Sequence, residues 1–184
     1  MTIKVRATIE DLYALPDVKA EIVNGEVVTL PPTGAAPGYA ATEVFVSLRE
    51  YGRRTKTGIA LSGNAAFHVS LPNRESFSPD AAFYTGQWTG MKFCEGAPIF
   101  AVEVRGEEDS GAPAEAQMAK KRLDYFAAGT IVVWDVDLLS DEVVKSYSTL
   151  DPNVPRVFRR GDTADAEPAV PSWSFAVNDL FDKQ

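Results

Sequence analysis

Pro98-Ile99-Phe100-Ala101-Val102-Glu103-Val104-Arg105, continued by a polar turn, a helical run and Thr130-Ile131-Val132-Val133-Trp134, is the stretch whose reading decides the fold. The apolar run Ile99 to Val102 drives directly into Glu103-Val104-Arg105 and reads as a strand. Side chains alternate faces along a strand, so Glu103 and Arg105 share one face while Phe100, Val102 and Val104 share the other. A carboxylate is therefore planted mid-strand. An unpaired buried charge costs roughly several kcal/mol, so a metal ion, a cation or a pocket of water must compensate it.

After Gly106-Glu107-Glu108-Asp109-Ser110-Gly111 the run Ala112 to Ala128 has no glycine and only one proline, Pro113 at its start. Its Ala, Gln, Met, Lys, Arg and Leu content predicts a helix, capped near Ser110 or Gly111 and closed by Gly129. Thr130 to Trp134 follows as a β-branched, buried strand. Strand, helix and strand within about 36 residues match a βαβ crossover, or a neighbouring strand pair bridged by a helix.

Upstream, Thr8 caps a short helix with acids in its first turn, and Pro16 ends it. Ala20-Glu21-Ile22-Val23 and Glu26 to Leu30 flank Asn24-Gly25, a strong hairpin signal. Glu21 lies on the face opposite Ile22, as either an exposed strand carboxylate or a site acid. The proline and glycine loop Pro31 to Gly38 leads to a second helix, Tyr39 to about Tyr51, with a core stripe of Val44, Phe45, Leu48 and Tyr51. Two shorter strands follow, Gly58 to Leu61 and Ala65 to Leu71, and His68 is read there as a surface or hydrogen-bonded histidine. Ser78 to Tyr84 is another strand, with Pro79 marking its start or an edge and Asp80 sharing a face with Ala82 and Tyr84. Downstream, Val143 to Tyr147 and Arg156 to Phe158 read as strands joined by a turn at Asp151-Pro152-Asn153. The tail from Ala169 supplies a last apolar strand or docking segment.

At 184 residues the chain fits one domain spanning residues 1–184, with a sizeable core. No run approaches the ~20 apolar residues of a membrane span and no signal-type apolar stretch follows Met1, so a soluble, cytoplasmic protein is expected, with no membrane partner. One cysteine, Cys94, excludes an internal disulfide, and with one histidine, His68, the usual zinc clusters are excluded as well. A metal here must be held by oxygen ligands, which selects magnesium, manganese or calcium. The formal charge of -8 argues against binding nucleic acid through the overall field. The basic islands Arg53 to Lys56, Lys120 to Arg122, and Arg156 with Arg159-Arg160 read as solvated surface clusters.

Pro79-Asp80, then Glu103-x-Arg105 and then lysines on the next helix meet the requirements of metal-assisted phosphodiester cleavage. Two carboxylates from adjacent strands hold a divalent ion against a phosphate oxygen, and a nearby cation positions water or stabilises the developing charge. The spacing alone is a weak signal.

The sequence resembles the Uma2 family of the PD-(D/E)xK restriction-endonuclease-like superfamily. The resemblance rests on Glu21 to Val28 with the following proline loop, Ser78-Pro79-Asp80, Val102 to Arg105, Lys121 four residues before Tyr125, Tyr125 four before Gly129, Val133 to Asp137, and a strand ending in Tyr147. It implies an α/β fold with a restriction-endonuclease-like core: a mixed central sheet with an N-terminal hairpin and flanking helices. It also implies a nuclease acting on DNA with Mg²⁺ or Mn²⁺. Asp80 and Glu103 match the metal-binding acids, Lys121 the catalytic lysine, and Glu21 an acid beside the site. Arg105 stands where the superfamily motif places its lysine; arginine holds its proton too firmly to be a base but can bind phosphate. The acids Glu107, Glu108 and Asp109 and the overall charge leave two other readings open: a catalytically degenerate accessory module that kept the fold, and a homodimeric protein-interaction domain.

Overall fold

The computed structural model describes residues 6–16 and 18–181. The hairpin is β1 (Ala20–Val23) and β2 (Glu26–Thr29), antiparallel with Val23 opposite Glu26. Asn24 at φ 54° and Gly25 at φ 75° both take the left-handed conformation that a tight two-residue hairpin turn requires. The preceding helix α1 (Ile9–Tyr13) starts at Thr8, whose N–H donates to Asp11 Oδ2 at 2.7 Å.

Helix α2 (Ala35–Thr55) begins four residues before the predicted Tyr39 and ends four after Tyr51. Pro37 falls in its first turn, where backbone N–H groups have no intrahelical partner, so the proline costs no hydrogen bond there. At the other end Lys56 adopts φ 60° and its N–H closes on Gly52 O. Strands β3 (Ile59–Ser62) and β4 (Phe67–Leu71) lie near their expected places. The sequence reading missed β5 (Arg74–Phe77), which folds back on β4, and the two-residue β7 (Cys94–Glu95). Between these lies β6 (Ala81–Tyr84), shorter than the predicted Ser78 to Tyr84 because Pro79 offers no donor.

The central unit is β8 (Phe100–Val104), α3 (Gly111–Ala128) and β9 (Val132–Val136). Strands β8 and β9 are parallel neighbours, and Gly129 closes α3 at φ 110°. Next come β10 (Val144–Ser148), β11 (Arg156–Phe158), and a small pair, β12 (Thr163–Asp165) with β13 (Ser174–Ala176). Of this pair β12 was not anticipated.

The strands form a six-stranded sheet, β11-β10-β9-β8-β6-β3, and a five-stranded sheet, β2-β1-β5-β4-β7. One face of the larger sheet buries Phe83, Phe100, Val102 and Trp134 under Val44, Leu48 and Tyr51 of α2 and Trp173 and Phe175 of the tail. The opposite face buries Ala82, Tyr84, Ala101 and Val133 against Tyr125 of α3 and Phe67 and Phe77 of the smaller sheet. The two sheets and α3 therefore meet on the face that carries Glu103. Among the described residues no helix is long and apolar enough to cross a membrane.

A Cβ on Gly25 would stand 2.8 Å from Arg6 Nε as well as forcing a side chain into the left-handed region. Gly25→Ala is expected to destabilise the protein by about 1–2 kcal/mol, read as a lower urea midpoint at unchanged slope.

Candidate active site

Strand register assembles the site. Ala81 pairs with Val102 and Phe83 with Phe100 across β6 and β8, and one further step along that register sets Asp80 opposite Glu103. Asp80 N–H donates to Val102 O and Val104 N–H donates to Asp80 Oδ2, both at 2.9 Å, which fixes the Asp80 carboxylate beside β8. On the other side of β8, Glu103 pairs with Asp135 of β9. Three acids thus form one row across three neighbouring strands.

Each acid of the row has its own cation. Lys19, just before β1, places Nζ 3.0 Å from Asp80 Oδ1. Lys121 of α3 lies 2.8 Å from Glu103 Oε1 and 3.0 Å from Glu21 Oε1. Arg105 grips Asp135 with two bonds, Nε to Oδ1 at 2.7 Å and Nη2 to Oδ2 at 2.6 Å, and also pairs with Glu115. Glu103 Oε1 further accepts the Tyr125 hydroxyl at 2.6 Å.

The smaller sheet closes the site from behind. Glu21 is buried, accepting Ser78 N–H at 2.9 Å and Arg74 Nη1 at 2.6 Å. Arg74 also donates to Asp124 of α3 at 2.9 Å and lies over the Phe77 ring, which stacks on Tyr125. Glu21 is thus a buried member of the cluster and not an exposed strand carboxylate.

The ionisation of these groups follows from burial and partners. Burial pushes the Glu103 carboxyl above its ordinary range, Lys121 opposes this, and Asp80 and Glu21 push it further up. For Glu21 burial also acts upward, but Lys121, Arg74 and the Ser78 N–H outweigh it and hold the carboxyl below its ordinary value. Burial would lower Lys121, yet the two glutamates raise it, so it remains an ammonium. Burial, followed by the Glu103 charge, drives the Tyr125 hydroxyl well up and keeps it a donor.

Asp80, Glu103, Lys121 and Lys19 line one open cleft of about 830 Å³, walled by Leu30, Pro31, Pro32 and Leu139 and edged by Glu107, Glu108 and Asp109. Lys121 reaches Glu103, while its neighbour Lys120 is exposed. The Lys120 to Arg122 island is not a uniform surface cluster: Arg122 is also buried, stacked on Tyr147 with its guanidinium carbon 3.5 Å from the ring centroid. The Arg105 guanidinium is committed to Asp135 and Glu115, which leaves it little to offer a phosphate. His68 is partly exposed and pairs with Glu95 at 3.1 Å.

The sequence reading did not single out Lys19 or Arg74. Lys19 lies two residues before Glu21, and the Lys-x-Glu alternation on the hairpin arm was the available signal. Arg74 carried no local signal, because its partners Glu21 and Asp124 are both about fifty residues away in the chain.

The donor set suits a hard divalent cation. Asp80 and Glu103 supply carboxylate oxygens from adjacent strands, and Mg²⁺ commonly binds through one or two carboxylates while keeping several waters. Among the described residues no three His, Cys, Asp or Glu side chains close around a common point, which accords with Asp135 being turned over to Arg105.

A mixed sheet with a carboxylate row, backed by a hairpin and flanked by helices, defines a restriction-endonuclease-like α/β fold. The crystal structure of a protein from Anabaena variabilis ATCC 29413, described as "a putative nuclease belonging to DUF820", shares it. The two align with a TM-score of 0.74 at 16% identity, over 95% of this chain and 97% of that one. The pattern of the Uma2 family, described as "Putative restriction endonuclease", matches residues 9–178, and the chain belongs to that family. No protein of curated function matches it in sequence.

Because Glu21 is held below its ordinary value of 4.5, its contribution to stability is present above that pH and disappears as pH falls through the folded-state value. Glu21→Gln should therefore cost on the order of 3 kcal/mol at pH 7, with the deficit narrowing below pH 4.5 in urea titrations. Glu103 has the opposite sign: its raised value gives stability below 4.5 that is lost as pH rises through the folded-state value. Glu103→Gln should accordingly cost less than Glu21→Gln at pH 7.

Proposed function

We propose that the protein is a divalent-metal-dependent nuclease that hydrolyses phosphodiester bonds of DNA. The observation that carries this reading is the placement of Asp80 opposite Glu103, with Lys121 on Glu103, in a single open cleft. Asp80 and Glu103 would hold Mg²⁺ or Mn²⁺. Bound there, the ion would supply Lewis-acid polarisation of a phosphate oxygen and a water of lowered pKa.

The chain's own residues do the rest. Asp80 is held by the Val104 N–H, so its carboxylate is oriented before any ligand arrives. Lys121, kept charged by two glutamates, presents a fixed positive group beside Glu103. There it can orient a water or stabilise negative charge that develops on the phosphate. Tyr125 and Arg74 act through the carboxylates they bind and hold Glu103 and Glu21 in place.

A second reading, a non-catalytic module on the same fold, is favoured by Glu107, Glu108 and Asp109 at the cleft edge, where they repel phosphates. The two readings separate in a cleavage assay on single- and double-stranded DNA. The nuclease reading expects turnover with millimolar Mn²⁺ or Mg²⁺, none in chelator, and rates falling as salt is added. Asp80→Ala should abolish it with the fold intact, and Lys121→Ala should slow it by roughly a hundredfold or more. Activity that persists in Asp80→Ala would assign cleavage to another site, and no activity on either substrate would leave the module reading.

A further inference from the structure

The cleft contains two lysines held in different ways. Lys121 is paired with two carboxylates, and its side chain is only 15% exposed. Among the described residues Lys19 pairs with Asp80 Oδ1 alone, and the two side chains are 22% and 24% exposed. Asp80 does not need Lys19 for its orientation, because the Val104 N–H holds Oδ2. Oδ1, the oxygen that Lys19 covers, is the one left for another cation.

The surroundings of Lys19 leave it room to move. Its backbone is anchored, with Leu30 N–H donating to Lys19 O at 2.8 Å, while the side chain borders both the main cleft and an adjoining hollow of about 480 Å³. Gly63 borders the same space, where an added Cβ would lie 3.7 Å from Lys19 Nζ. Arg105 is committed to Asp135 and Glu115 and Lys121 to Glu21 and Glu103, so Lys19 is the cleft cation with the weakest hold.

We propose that Lys19 is a displaceable cation: it neutralises Asp80 until a divalent ion takes Oδ1, and its ammonium then binds a phosphate oxygen of the substrate. The proposal rests on the nuclease reading, because it needs a metal at Asp80 and Glu103. It adds to that reading a phosphate-binding residue outside the carboxylate and lysine set. It also accounts for how a cleft edged by acids retains an anion: the positive charge is released into the cleft only when the metal arrives. No covalent step is involved. A metal-bound carboxylate attracts an ammonium less than a free one, and a metal ion repels it, so both effects favour transfer to the phosphate.

The test uses the whole chain, with binding in place of turnover. Ca²⁺ alone is titrated calorimetrically into the native protein, Lys19→Met and Lys19→Arg. A phosphorothioate-linked single-stranded oligonucleotide is then titrated into each in saturating Ca²⁺. Lys19→Met should bind Ca²⁺ more tightly by roughly two- to fivefold, the scale of a partly exposed ion pair. It should bind the oligonucleotide several-fold more weakly, with Lys19→Arg close to native in both. A lysine with a purely structural role predicts no such opposed pair of shifts. Unchanged or weaker Ca²⁺ binding in Lys19→Met overturns the displacement, and unchanged oligonucleotide binding overturns the transfer to phosphate. Ca²⁺ binding lost in Asp80→Asn but insensitive to Lys19 would sink this proposal and leave the metal site standing. Absence of Ca²⁺ binding in every variant would remove the metal-dependent reading and this proposal together.

Discussion

Three carboxylates set side by side across a sheet are the constraint that organises this protein. Asp80 immediately ahead of β6, Glu103 on β8 and Asp135 on β9 occupy one row, and like charges placed opposite each other on neighbouring strands destabilise a sheet. The row survives because each acid receives its cation from a different part of the chain: Lys19 before the hairpin, Lys121 on the crossover helix, and Arg105 at the end of β8. Packing of the smaller sheet and α3 against the larger one is therefore also the neutralisation of the row. A shift of α3 by one residue would replace Lys121 with Lys120 or Arg122, about 100° away around the helix.

The acids are compensated unequally, and that inequality separates structure from site. Asp135 is bound at both oxygens by one guanidinium, with side-chain exposures of 2% and 4% for the pair. Removing either partner would strand a buried charge, so this pair belongs to the scaffold. Asp80 and Glu103 are instead paired with the ammonium groups of Lys19 and Lys121, and all four residues line the cleft. Neighbouring strands lie about 4.8 Å apart, so the full row spans ~10 Å, too wide for one ion, whereas two adjacent acids are within its reach.

How legible all this was depended on how local each signal is. The Asn24-Gly25 turn, the apolar β8 and the glycine-closed α3 carry their instructions within a few residues, and their positions were readable from the chain. Glu103 stood out because a carboxylate in an apolar strand needs a compensating partner, and Asp80, a common kind of strand-start acid, gained weight only from Glu103 further along the chain. Lys121 was selected by family spacing, since helical composition does not distinguish it from Lys120. Strand β5 was not readable: Arg74-Glu75-Ser76-Phe77 looks like a polar loop until Glu21 and Asp124 take up Arg74 and the Ile22 N–H donates to Ser76 Oγ at 2.8 Å. Lys19 was missed for the same reason, because its partner lies 61 residues further along the chain.

The distribution of charge also bears on how a negative substrate can approach an acidic chain. Glu107, Glu108 and Asp109 are exposed at the cleft edge, where they repel a phosphate backbone. Inside, Lys121 is balanced by Glu21 and Glu103, and Arg105 by Asp135 and Glu115, so neither adds much attraction at a distance. Opposite charges paired within a few ångströms largely cancel beyond a Debye length of about 8 Å at physiological salt. On the proposed nuclease reading, what attracts phosphate would be created locally, by a divalent charge on Asp80 and Glu103 together with the Lys19 ammonium that this charge would displace. On that reading, affinity would be conditional on the metal, and the acidic edge would suppress binding while the metal is absent.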